Sequence, residues 1–425
     1  MKPLIEELQW RGLIQDIMPG TKEQLEKEMT TAYIGFDPTA DSLHIGSLVQ
    51  IILLIHLQNA GHKPIALVGG ATGLIGDPSG KKEERKLLTE EEVYYNVDCI
   101  GSQLNRFLNF KSGDNAAVLV NNADWFKGIT TIQFLRDAGK YLTVSYLLSK
   151  GFIKDRMAQE QEISFTEFNY ILMQAYDFMW LYENHNCKIQ MGGSDQWGNI
   201  TAGTELIRKK LRGESFGFTC PLITKADGGK FGKTETGNVW IDPKRTTPYQ
   251  FYQFWLNATD ADAEKWIKIF TFLNQQEITS ITDEHKMDAG KRLLQKRLAE
   301  KVTEFVHGAP ALAEALATTE KLFTNQTSKA DSLSVEDLEG MEGMVKIDFD
   351  RKKIDTGIDI VSFLAETNIF PSKGEAKKMI LGGGVSINRK KVENTELKVD
   401  SSLLLHNKYI LIQKGKKNYF LISVL

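Results

Sequence analysis

Cysteine is scarce: three residues, Cys99, Cys187 and Cys220, occur in 425. An odd, widely spaced set forms no disulfide framework and no close-set zinc pattern, so free thiols in a reducing compartment, the cytoplasm, are expected. Long apolar runs are missing as well. No stretch reaches the roughly 18 uninterrupted residues that a membrane span needs, and the start, MKPLIEELQWRG, puts charges where a secretion signal needs an apolar core. No membrane partner is expected. Only 10 prolines and no low-complexity tract occur, and with 42% hydrophobic and 25% charged residues the composition excludes collagen-like and disordered classes. A dominant charge sign is also lacking, since 52 Lys and Arg nearly balance 55 Asp and Glu. That balance is uneven along the chain. Residues 351–425 carry 14 basic against 7 acidic side chains, a surplus of +7, and the other 350 residues carry 38 against 48, or −10. A basic end module on an acidic body points to a polyanionic partner at that end.

The length exceeds what one core organises, about 250 to 300 residues, so several domains are expected. Between about residues 30 and 225, strand patterns (Ala32 to Phe36, Pro64 to Val68, Ala117 to Val120, Lys188 to Met191) alternate with helical ones (Leu43 to Asn59, Val93 to Phe110, Thr130 to Ala138, Phe165 to Glu183). This alternation predicts an α/β fold with a doubly wound parallel sheet, whose ligands sit outside the carboxyl ends of the strands. After Thr246 amphipathic helices take over; Leu294, Leu298, Val302 and Phe305 recur on one helix face. Asn325 to Gly343 is polar and reads as a linker, and β-prone runs at Val385 to Ile387 and Tyr409 to Ile412 follow. The expected division is 1–235 catalytic, 236–324 helical, 325–345 linker and 346–425 basic.

Three stretches carry chemistry. YIGFDPTADSLHIGSL, Tyr33 to Leu48, is a strand, a turn through Asp37, Pro38 and Thr39, and a helix with Ser42 as expected cap and His44 and Gly46 in its first turns. The orphan amides and dipole of such a helix end attract anions; His44 adds a donor and Gly46 lets a flat ring or ribose approach. GGKFGKT, Gly228 to Thr234, misses a P-loop because the required first glycine is Asp227. Its Lys230 and Lys233 read instead as a clamp bringing positive charge to phosphates. Tyr170, Gln174 and Asp177 stand at steps of 4 and 3, within roughly 60° of arc on a helix whose neighbours Ile171, Leu172, Ala175, Phe178 and Met179 are apolar. A buried polar stripe of this kind needs partners inside, either a ligand or water and internal pairing.

HIGS at His44 to Ser47 and KFGKT at Lys230 to Thr234 resemble, in order and separation, the HIGH and KMSKS signatures of class I aminoacyl-tRNA synthetases. GFDPTADSLHIG, IGDPSGK at Ile75 to Lys81, FNYILMQAYD at Phe168 to Asp177 and GGSDQWGN at Gly192 to Asn199 narrow the resemblance to the bacterial tyrosyl-tRNA synthetases, over nearly the whole chain. The resemblance implies a Rossmann-like catalytic domain, a helical domain and a small αL-type RNA-binding domain. It implies activation of L-tyrosine by ATP, with Mg²⁺ accompanying ATP and no prosthetic group or resident metal, then transfer to tRNA(Tyr) by a homodimer.

Roles follow from the same resemblance. Asp177 and Tyr33 would bond the substrate phenol, and Tyr170, Gln174 and Asp77 its ammonium group, with Gln196 and Asn122 nearby. Thr39 and His44 would contact the phosphates while Lys230, Lys233 and Thr234 close over them. Gly35, Asp37, Gly46, Ser47, Gly193, Asp195 and Gln196 would hold ATP and the adenylate, and Lys81 and Arg85 would add phosphate contacts. Lys373, Lys377, Lys378, Arg389 and Lys390 would meet the RNA backbone. Ser47 departs from the signature's second histidine, and Phe231 and Gly232 replace Met and Ser. A tryptophan enzyme or other class I synthetase, or an inactive RNA-binding paralogue, are the alternatives. The Tyr33 and Asp177 pair argues against the first, because a site built to bond a phenol leaves both groups unpaired around another side chain; tyrosine selection by this family is the standing illustration of that rule.

Overall fold

Five short apolar runs pair edge to edge in the computed structural model, which describes residues 3–78, 87–229, 231–234, 237–323, 333–335, 338, 344–415 and 418–425. They are β1 (Thr31–Phe36), β2 (Lys63–Val68), β3 (Val118–Asn121), β4 (Cys187–Gly193) and β5 (Phe216–Cys220). All four pairings are parallel and the strand order is β3-β2-β1-β4-β5. The chain therefore winds one way from β1 through β3 and then returns to the other side of β1. The gap between the carboxyl ends of β1 and β4 is the switch point, where such sheets leave a crevice.

The helices between strands supply the covering layers. Helix α1 (Ile45–Asn59) packs on β1 and β2, and α2 (Glu90–Leu104) packs on β2. A Thr89 and Glu92 capping box starts α2 three residues before the sequence pattern predicted. The long helix α3 (Phe165–His185), started by a Ser164 and Glu167 capping box, packs on β4 and on α4 (Trp197–Leu206). On that face Tyr33, Ile65 and Leu67 join Ile171, Ala175, Phe178 and Leu206 in one core. Alternation along β1 and β2 turns Ile34, Ala66 and Val68 to the opposite face.

Strand β5, absent from the sequence reading, is buried at all five residues although it ends the sheet. Its outer edge is covered by the amino-terminal segment, where Gln15 N donates to Thr219 O at 2.7 Å and Met18 N to Gly217 O at 2.9 Å. Covering an edge in this way blocks pairing with other chains.

Two compact units emerge, Met1–Ile241 with Glu264–Thr279 and Asp242–Ala263 with Ser280–Leu425. In the second, helices Pro248–Leu256, Leu293–His307 and Ala309–Phe323 pack together, and Leu294, Leu298 and Val302 are fully buried while Phe305 is half-buried. Toward its end a five-stranded mixed sheet contains Val345–Phe349, Val385–Ile387, Lys390–Lys391, Tyr409–Lys414 and Asn418–Val424. Most of the expected linker, 325–343, lies outside the described residues. All three cysteines are free thiols, and among the described residues no helix is long and apolar enough to cross a membrane.

Candidate active site

The crevice at the switch point is a cleft of about 540 Å³. From β1 and the turn after it come Tyr33, Gly35, Asp37 and Thr39; from the start of α1, His44, Gly46 and Ser47; from α3, Tyr170, Gln174 and Asp177. The end of β4 and the turn after it supply Gly193, Asp195 and Gln196, and Asp77 comes from the segment after β2. The polar stripe on α3 thus lines the cleft along with motif residues distant in sequence.

Two hydrogen-bonded networks line it. At the floor, Asp177 is 2% exposed and accepts from Trp125 Nε1 at 2.8 Å and from Asn122 Nδ2 at 3.2 Å. Asn122 Nδ2 also donates to Thr72 Oγ1 at 3.0 Å, and Thr72 Oγ1 donates to Asp37 Oδ1 at 2.9 Å. Tyr170 Oη donates to the other Asp37 oxygen at 2.9 Å. Nearer the mouth, Gln196 Nε2 donates to Asp77 Oδ2 at 2.7 Å, Gln174 Nε2 to Gln196 Oε1 at 3.1 Å, and Asn199 Nδ2 to Gln174 Oε1 at 2.9 Å.

Two polar atoms at the floor have no such bond. Tyr33 Oη and Gln190 Oε1 are buried without a hydrogen-bond partner among the described residues, and Tyr33 and Gln190 face each other across β1 and β4 in register. Orphaned buried groups of this kind are costly unless a ligand satisfies them. Burial also moves the floor's ionisations. The Asp177 carboxyl is pushed up to about 8 by burial, against the two donors that favour its charge. The Tyr33 phenol is pushed well above its ordinary range by burial and then by Asp177. Asp195 is raised by burial and then by Asp77. With Asp37, Asp77, Asp177 and Asp195 around it, the cleft favours a cationic group.

The anion end is the start of α1. His44, not Ser42, is its cap: the His44 backbone is extended and its Nδ1 accepts from Gly46 N at 3.0 Å. Ser42 is taken up elsewhere, donating to Leu43 O and accepting from Gln103 Nε2. A Cβ on Gly46 would sit 2.7 Å from the His44 ring, so glycine is required for the cap itself. The glycine-punctuated loop adjoins this end. Ile45 N donates to Val239 O at 3.0 Å, and Val239 N donates to Gly232 O at 2.9 Å. Lys233–Thr234 pairs with Gly237–Asn238 as a two-residue hairpin ladder; Lys81, Arg85 and Lys230 lie outside the described residues, as do the side chains of Lys233 and Thr234.

Asn122 is fully buried and does not line the cleft; it braces Asp177 from behind. The local turn belongs to its neighbour, since Asn121 Oδ1 accepts from Ala123 N at 2.9 Å. Trp125, Thr72, Asn199 and Gln190 were not legible in the sequence, because each acts only through a partner brought close by the fold. Among the described residues no group of three His, Cys, Asp or Glu side chains could hold a metal. In the second unit Lys373, Lys377 and Lys378 are exposed on helix Lys373–Leu381 and Lys390 is exposed on its strand. The strand Val385–Ile387, between that helix and Lys390, stops at Ile387 instead of continuing into the basic run. Asn388 and Arg389, at φ 48° and 64°, form the reversing turn, a left-handed pair suited to a two-residue hairpin.

Residues 25–324 match the family described as tRNA synthetases class I (W and Y). Residues 339–422 match the Tyrosine--tRNA ligase SYY-like C-terminal domain. The chain is 55% identical over 428 residues to a tyrosine--tRNA ligase of Porphyromonas gingivalis, covering 99% of each. It is 54% identical over 434 residues to that of Flavobacterium johnsoniae, covering 100% of each. A C-terminally truncated mitochondrial tyrosyl-tRNA synthetase from Aspergillus nidulans is similar in structure, with a TM-score of 0.68 at 29% identity over 76% of this chain and 95% of that one.

Proposed function

Because this chain belongs to the class I tRNA synthetases of the tryptophan and tyrosine group, we infer from that membership and from the cleft that it is a tyrosine--tRNA ligase. The tyrosine carboxylate attacks the α-phosphate of ATP, forming a P–O bond as the bond to pyrophosphate breaks. A ribose hydroxyl of the terminal tRNA adenosine then takes the tyrosyl group and AMP leaves. Neither step needs a protein nucleophile, so the residues must position the reactants and stabilise charge that develops in the transition state.

One observation carries the assignment of tyrosine: Tyr33 Oη, buried without a partner, shares the floor with an Asp177 carboxyl group that Trp125 and Asn122 hold in place. A phenol entering there donates to Asp177 and accepts from Tyr33. The ammonium group meets Tyr170, which is bonded to Asp37, and Gln174 and Asp77, which are joined through Gln196. Gly35, Asp37, Gly46, Ser47, Gly193 and Asp195 take the adenylate, with Asp195 accepting from ribose hydroxyls. Thr39, His44 and the α1 amide groups, with Lys230, Lys233 and Thr234, oppose charge on the phosphates, each well-placed donor contributing about 3 kcal/mol; Lys81 and Arg85 add phosphate contacts. Mg²⁺ enters on ATP as part of that substrate, held by phosphate oxygens. The basic module grips tRNA(Tyr), and the enzyme works in the cytoplasm.

Pyrophosphate exchange tests the reading directly. Exchange should depend on tyrosine and be far weaker with tryptophan or phenylalanine; tyrosine-independent behaviour, or exchange driven by tryptophan, would overturn it. We propose in addition that two copies associate. Between residues 132 and 165 the apolar side chains of Ile132, Val144 and Phe165 are 72%, 62% and 78% exposed, a surface that a second copy would cover. Sedimentation velocity at micromolar concentration should give twice the chain mass, and a monomer there would remove the proposal.

A further inference from the structure

Phe231 stands between the two lysines of the glycine-punctuated loop and departs from the family signature, yet its ring is not idle. It stacks on Phe270 at 5.2 Å between centroids with planes 18° apart, and it meets the edge of Trp266 at 5.0 Å and 71°. Those two rings are 0% and 2% exposed, so they form a fixed surface. They end the helix Asp260–Phe270, and the carbonyls trailing from that end are held by a single cation. Arg11, 4% exposed, donates to Lys268 O at 2.7 Å, Thr271 O at 2.8 Å and Leu273 O at 2.8 Å. Saturating the orphan carbonyls of a helix end in this way stiffens it.

The next residue is pinned on the other side. Gly232 has φ 79°, a Cβ there would lie 3.1 Å from Ile45 Cγ1, and its carbonyl accepts from Val239 N, whose own carbonyl accepts from Ile45 N. Two consecutive residues are thus fixed, one by aromatic contact and one by the start of α1. Lys230 and Lys233 flank that pair in the sequence.

We propose that Phe231 is a positioning residue whose ring, clasped by Phe270 and Trp266, fixes the loop backbone at Phe231 and Gly232 beside the amino terminus of α1, and that the two lysines flanking this pair in the sequence depend on it for their action. The proposal rests on the ligase reading for its effect on rate, but the clasp itself is a statement about the loop. Methionine, which the signature carries here, is apolar and could occupy the same surface, whereas alanine could not.

The test pairs an activity readout with one independent of activity. In Phe231→Ala the rate of tyrosyl-adenylate formation at saturating ATP should fall about tenfold, as expected from two lost ring contacts, while the KM for tyrosine stays within about twofold. Phe231→Tyr and Phe231→Met should recover most of the rate. Phe231→Ala combined with Phe270→Leu should be no slower than the slower single variant, since both remove one contact. Amide hydrogen exchange at Val239, bonded to Gly232 O, should accelerate about tenfold in Phe231→Ala with the melting temperature little changed. Unchanged exchange at Val239, an unchanged rate, or losses that multiply in the double variant would each overturn the clasp. A wild-type protein without tyrosine-dependent activation would instead refute the ligase reading, and the Val239 measurement would still decide the clasp.

Discussion

Replacing Asp177 by alanine should lower kcat/KM for tyrosine by roughly tenfold to 150-fold, the equivalent of about 1.5 to 3 kcal/mol for a hydrogen bond to a charged group. Two effects add to this loss. Trp125 Nε1 loses its acceptor in a buried site, and Asn122 Nδ2 is left with Thr72 Oγ1 alone. Phenylalanine makes no bond to Asp177, so its slow activation should change far less and the preference for tyrosine should narrow. Steady-state exchange kinetics with both amino acids measures this, and an unchanged preference would refute the phenol assignment.

The same group predicts a pH dependence. Burial raises the Asp177 carboxyl from its ordinary range to about 8, so the folded, empty protein retains a proton that the unfolded chain has lost. Stability from this group is therefore fully present below the ordinary carboxyl range and declines as pH rises toward 8. The ionised form is the better acceptor for a phenol O–H, and binding should favour it. The KM for tyrosine should fall as pH rises toward about 8, by up to about tenfold per unit. Tyrosine should also raise the melting temperature more at pH 8.5 than at pH 6. Asp177→Asn should flatten both profiles, and a KM that rises through this range would contradict the assignment.

Changing Lys373, Lys377, Lys378 and Lys390 together to alanine should leave tyrosine activation intact and raise the KM for tRNA by at least about tenfold. These four are exposed, so the fold should survive; Arg389 is left alone because it occupies the left-handed turn at φ 64°. Each lost phosphate contact should also reduce the slope of log affinity against log salt by about 0.7 to 0.9. Charging assays at several salt concentrations read both quantities. If the tRNA KM and its salt slope are unchanged, this face is not where RNA binds.

Features set by local chemistry were legible in the amino-acid order. The spacing of Tyr170, Gln174 and Asp177 put one polar stripe on a buried helix, and α3 carries all three along the cleft. Strand and helix alternation predicted the parallel sheet, because near-neighbour periodicity is a local property. The cap of α1 escaped this reasoning. Ser42 and His44 can both cap a helix, and Gln103, about 60 residues away, engages Ser42 and leaves the role to His44.

The sequence by itself determined the helix stripe, the strand–turn–helix at Tyr33 to Leu48 and the basic tail, since each depends on residues a few positions apart. Tertiary structure alone decided which groups surround the substrate's end of the cleft. Asn122 and Trp125 reach Asp177 across 55 and 52 residues, and Gln190 stands beside Tyr33 only because β4 pairs with β1 in that register. Strand order and register are set by how whole faces bury against one another, and a shift of one residue would turn Gln190 to the other face. No short-range pattern carries that information.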